Sequence, residues 1–208
     1  MHLIARTLIT IISVLLFGGS AFETPADPHP LTGATGTTDS YYARTSTVVA
    51  RVATTEQQLL VAEAVELFED AGLELPPTDI YFHADAAPCN GAAGLHYSAA
   101  MLDALVHRID MCHRLPMFVV HELAHAWAAL AMDDDDRDRA MQRWGLTAWN
   151  DHDHEWSDRG TERVAQTVTY TLITEGKALN DHVADYICSY EAITGTTHDA
   201  VRNQNCAA

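Results

Sequence analysis

Basic charge is scarce in this chain. Twelve Lys and Arg stand against 29 Asp and Glu, a formal net charge of −17, and Lys177 is the only lysine. That deficit excludes partners that are themselves polyanions, since nucleic acid and anionic membrane surfaces would both be repelled. Cysteine is sparse too: Cys89, Cys112, Cys188 and Cys206 form no C-x-x-C pair, which disfavours a zinc site built from thiolates. None of the four directly follows the N-terminal apolar run, so a lipoprotein anchor is disfavoured. None lies before residue 89, so no thiolate there can block a metal. The one long apolar run, residues 8–17, is too short for a comfortable membrane span. No internal repeat and no second domain is visible.

What the N-terminus does carry is an export pattern. Arg6 gives a positive start, the apolar run follows, and Gly19-Ser20-Ala21 offers small residues for cleavage. Residues 1–21 therefore read as a signal peptide, with a permanent anchor as the alternative. An exported chain matures where disulfides form, and four cysteines allow three connectivities. The sequence-local pairing, Cys89 with Cys112 and Cys188 with Cys206, is favoured. Each bond closes a loop of about twenty residues, worth ~3 kcal/mol by chain entropy.

Residues 22–50 are rich in Pro, Gly, Thr and Ser and read as a flexible linker, with order beginning near Tyr41. The remaining 51–208 form one domain. Apolar residues recur at helical spacing over 54–71, with Thr54 or Thr55 as cap and Gly72 as stop. Residues 80–82 read as a buried strand, 89–94 as a Gly/Ala loop and 104–111 as a second strand. Pro116 opens a strongly apolar helix to about Met132. Residues 133–158 read as a polar loop held down by Trp144, Trp149 and Trp156. Helices follow over 161–174 and 179–193. This order indicates a small α+β domain, expected to hold a short antiparallel sheet and two packed helices.

The chemistry lies in the helix from Pro116. His121-Glu122-Leu123-Ala124-His125 has the form H-E-x-x-H, which puts both imidazoles on one helical face. Two imidazoles so placed can bind one zinc ion at about 2.0–2.1 Å, with Glu122 beside it to take a proton from water. Otherwise the stretch 117–132 carries no charged group, and a polar triplet in a buried helix needs a partner. A catalytic site needs a third ligand. The Gly and His of the metzincin spacing are absent after His125, so that ligand comes from further on. Glu162, near the start of the next helix, is the candidate. Ala165 would allow close helix packing there, and Gln166 could hydrogen-bond a ligand histidine. His152, His154, Glu155 and Asp158 remain rivals, and His152 or His154 could instead face an oxyanion. The acidic run 133–136 lacks the spacing of a calcium loop and reads as solvated acid.

At these residues the chain resembles the zincin metallopeptidases, and among them the gluzincins, over roughly residues 115–174. His121, Glu122 and His125 match the family motif position by position. Glu162 matches by type and helix placement, with E-x-x-A-Q where thermolysin-like enzymes have E-x-x-S-D. Gln166 thus replaces the family's orienting carboxylate. The segment 158–162 is also similar to small secreted proteins of actinobacteria. The resemblance implies a secreted zinc metallopeptidase in which Glu122 is the catalytic base and His121, His125 and Glu162 hold Zn²⁺. It implies peptide or protein substrates and a substrate-pairing strand, for which 104–111 is the candidate. Two alternatives remain: a non-catalytic secreted zinc-binding or interaction protein on the same scaffold, and a structural domain whose histidines hold no metal.

Overall fold

Three parallel strands and one antiparallel strand make the sheet, in the order β1-β2-β4-β3. These are β1 (Val48–Arg51), β2 (Thr78–Phe82), β3 (Gly94–Tyr97) and β4 (His107–Met111). The computed structural model describes residues 47–151, 153–174, 180–198, 201 and 206. The signal segment 1–21, linker residues 22–46 and His152 lie outside them. Five helices complete the described fold: α1 (Thr55–Asp70), α2 (Pro116–Ala131), α3 (Asp134–Trp144), α4 (Gly160–Ile173) and α5 (Asp181–Thr194). The class is α+β, as expected. The sheet is mixed and mostly parallel where an antiparallel one was expected.

Local chemistry sets the helix ends. Thr54 caps α1 through a reciprocal box: its hydroxyl accepts from the Gln57 amide, and the Gln57 side chain accepts from the Thr54 amide. Val61, Ala64, Val65 and Phe68 form its buried face, and Gly72 ends it at φ +70°, where a side chain would be strained. Pro116 sits in the first turn of α2, where its missing N–H costs nothing. This helix is buried around much of its circumference, through Val119, Val120, Leu123, Ala124, Ala126 and Trp127. It lies between α4, α1 and the sheet. Ile80, Ile109 and Met111 fill the sheet side of the core.

Besides the mixed sheet and β3, whose Gly94 ends the stretch read as a loop, the structure departs from the sequence reading in three places. Val48–Ala50, in the stretch taken for linker, belongs to β1 and pairs with β2. The acidic run at 133–136 is not loop: it starts α3. Asp133 and Asp136 cap each other's amides, so the acids satisfy the orphan donors and the dipole of that end. The strand expected over 104–111 begins at His107, because Ala104 closes a turn onto the Ala99 carbonyl. It pairs on both sides, with β2 and β3. An interior strand has no free backbone for a substrate; the edges are β1 and, beside β4, β3.

Both expected disulfides are present. Cys89–Cys112 ties the turn before β3 to the residue after β4, and Cys188–Cys206 joins α5 to the C-terminal segment.

Candidate metal centre

Helix α2 presents His121 and His125 one turn apart, and α4 brings Glu162 to meet them. Small side chains permit the approach, since Ala124 on α2 and Ala165 on α4 are both fully buried. The start of α4 is fixed from outside the helix. The Gly160 and Thr161 amides donate to the Ala148 and Trp149 carbonyls, and the Trp149 ring lies so close that a Cβ on Gly160 would come within 2.6 Å of it. Glu162, in that first turn, is held accordingly.

The three donor atoms form a nearly equilateral triangle. Glu162 Oε2 lies 3.1 Å from His121 Nε2 and 3.3 Å from His125 Nε2, and the two nitrogens are 3.2 Å apart. A point about 2 Å from all three corners lies just off that triangle, which is the ligand distance of zinc in a His₂Glu site. The donor set and spacing therefore fit a metal ion. Each of the three side chains keeps 12–14% of its surface open to solvent, so the group is not sealed from water. Burial on its own would raise the Glu162 carboxyl. The charge of His125 and hydrogen bonds from both histidines outweigh it and hold the group below the usual carboxylate range. It is thus ionised, as a ligand must be.

Glu122 points beside the triangle and is 6% exposed. Burial pushes its carboxyl up to about 7, with Glu162 adding to the rise and His125 opposing it. A carboxyl poised near neutrality can both accept and return a proton. Directly against it runs β3. A Cβ on Gly94 would fall 2.8 Å from Glu122 Oε1, so only glycine fits there without displacing the acid.

The register of β3 decides which of its backbone groups are open. Gly94 faces Met111 and Tyr97 faces Arg108, and the Cys112 amide donates to the Ala93 carbonyl. Hydrogen-bonded pairs alternate along an antiparallel ladder, so Leu95 and Tyr97 bond to β4. The N–H and C=O groups of Gly94 and His96 point to the other side, where no described strand pairs with them. Their side-chain positions face α2, over Glu122 and His125.

Rings surround the ligands. His121 and His125 meet at 87° with centroids 4.8 Å apart. Trp156 stacks on His121 at 5.8 Å, and His96 stacks on His125 at 6.1 Å. His96 in turn shares a 2.9 Å hydrogen bond with His107 Nδ1. Burial, with His125 and His107 alongside, keeps His96 well below the usual imidazole range, so it stays neutral.

Of the sequence candidates, His121, Glu122, His125 and Glu162 come together. Asp158, Glu155 and His154 do not join the metal group, and His152 lies outside the described residues. His154 instead faces Asp151 and Thr147, while its carbonyl accepts from Arg159. No hydrogen bond joins Gln166 to either histidine; the Nε2 atoms of both rings engage Glu162 and each other. Sequence reasoning missed Gly94, His96, His107 and Trp156 as parts of the site. The signal for two of them was present in Gly94-Leu95-His96, whose alternate positions share one face of a strand. No family model, no curated protein and no solved structure matches the chain.

Proposed function

We propose that this chain is a secreted zinc metallopeptidase of the zincin kind, and that its substrate is a peptide or protein. One observation carries the reading: a buried acid, Glu122, lies between the His121–His125–Glu162 triangle and the open edge of β3. Zinc is the ion this His₂Glu donor set suits; when bound it supplies Lewis-acid polarisation of a carbonyl and eases deprotonation of water.

The chain's own groups do the rest. The backbone of Gly94 and His96 pairs with an extended peptide by strand addition, presenting one peptide bond to the cleft. Glu122 takes a proton from the attacking water as its oxygen bonds to the carbonyl carbon. That same proton passes to the leaving nitrogen as the C–N bond breaks, so Glu122 ends as it began. Export is supported by the N-terminal sequence pattern and by two disulfides, which persist in oxidising compartments. Among the described residues no helix is long and apolar enough to cross a membrane.

Incubation with a broad peptide library, read by mass spectrometry with and without a chelator, tests this. Chelator-sensitive cleavage that vanishes in Glu122→Gln, with metal still bound, is expected. Cleavage by Glu122→Gln at the parent rate would overturn the mechanism. Metal binding without any cleavage would leave a zinc-binding protein that does not turn over.

A further inference from the structure

A metal-binding imidazole works only if its plane is held, and the common device is a hydrogen bond from its second nitrogen to a carboxylate or carbonyl. Here Gln166 makes no such bond, and the carboxylate bonded to these rings is the ligand Glu162 itself. Each ring has a flat aromatic neighbour instead. Trp156 lies on His121 with 29° between the planes, and His96 lies on His125 with 7° between them. The two ligand rings are almost perpendicular, so one stacking partner cannot serve both.

We propose that Trp156 and His96 are the positioning residues of the metal centre, orienting His121 and His125 by ring stacking in place of an orienting carboxylate. The proposal rests on the metal-centre reading above. Both rings are themselves anchored. Trp156 opens a single 3₁₀ turn, Trp156–Asp158, tied to α4 through Arg163, whose Nε donates to the Ser157 carbonyl at 2.8 Å. Arg159 pins the preceding stretch by donating to the His154 carbonyl. The helix that supplies Glu162 therefore also anchors, through Arg163, the turn whose ring backs His121. His96 is pinned by His107, and its own backbone lies on the open edge of β3. The strand proposed to bind substrate thus also steadies a ligand.

Stacked aromatic pairs contribute ~0.5–1.5 kcal/mol beyond burial, which converts to a change of about 2- to 12-fold in metal affinity for each ring. The full-length chain and four variants, Trp156→Phe, Trp156→Leu, His96→Phe and His96→Leu, are titrated with Zn²⁺ against a competing chelator. The visible spectrum of each Co²⁺-loaded form is recorded. The Phe variants keep a ring and should match the parent in affinity and spectrum. The Leu variants should bind several-fold more weakly and show an altered Co²⁺ spectrum, with circular dichroism unchanged. If the Leu variants equal the parent, the proposal is overturned while the metal centre stands. If the Leu variants do not fold, the Phe pair decides: weak binding by His96→Phe would show that the His107 bond, not the ring, is what matters. A parent chain that binds no metal overturns the metal-centre reading and this proposal with it.

Discussion

Gly94 and Glu122 are in direct opposition: the hydrogen-bearing face of Gly94 Cα abuts the Glu122 carboxylate, and a Cβ would sit 2.7–2.9 Å from three of its atoms. No strand residue with a side chain can occupy that position while the acid keeps its place beside His125 and Glu162.

Gly94→Ala should therefore displace Glu122 and lower kcat/KM by about tenfold or more, while Zn²⁺ affinity changes little. The overpacking should cost about 1–3 kcal/mol of stability, because the added methyl meets a side chain that can move only partly. Parallel measurement of peptide cleavage, metal affinity and urea midpoint checks this. Parental cleavage by the Ala variant would contradict it.

Replacing donors should sort the sequence candidates. Glu162→Ala removes a corner of the triangle and should weaken Zn²⁺ binding by about 100-fold or more, beyond the range seen for outer partners of a ligand. Asp158→Asn and His154→Ala should leave it within about twofold, since neither residue belongs to the group. Competition titration separates the two outcomes.

Metal removal should lower stability, because an ion that binds only the folded chain contributes about 2.7 kcal/mol at a hundred times its Kd. For a domain of this size that corresponds to a melting temperature about 5–10 °C lower in chelator. Thermal unfolding by circular dichroism, with and without Zn²⁺, measures it. Glu122→Gln should keep the full shift.

The Cys89–Cys112 bond joins residues 23 apart in sequence and encloses β3 and β4, and its loss should cost ~3 kcal/mol by chain entropy. The double substitution to Ser frees the turn that aligns Gly94 with Glu122. Cleavage should fall more than metal affinity, because the ligands stand on α2 and α4 and β3 reaches them only through the His96 ring. Equal losses in both would place the ligands and the edge strand in one cooperative unit.

Much of this was legible in the sequence where the governing interactions are local. Helices α1, α2, α4 and α5 all lie near the positions read from sequence, with Thr54 and Gly72 bounding α1 and Pro116 opening α2. His121, Glu122 and His125 share one helix, so their spacing suffices, and Glu162 stood out by residue type at a helix start. Helix α3 was not legible, because Ala140 is its one buried residue and leaves no apolar stripe to read. Strands β1 and β3 are four residues each, too short for alternation to register. The order of the sheet is set by pairings across long stretches of chain, so nothing near 104–111 announces that β4 is interior. Trp156 and His96 reach the ligands only through the tertiary fold, and the loop tryptophans could be read as packing but not as packing on His121.

The central claim is that His121, His125 and Glu162 hold a metal ion. The most direct measurement is the metal content of the full-length chain purified without added metal, set beside that of His125→Ala. One zinc per chain in the parent, and almost none in the variant, is the expected result. A parent without metal, or a variant that retains it in full, would contradict the account.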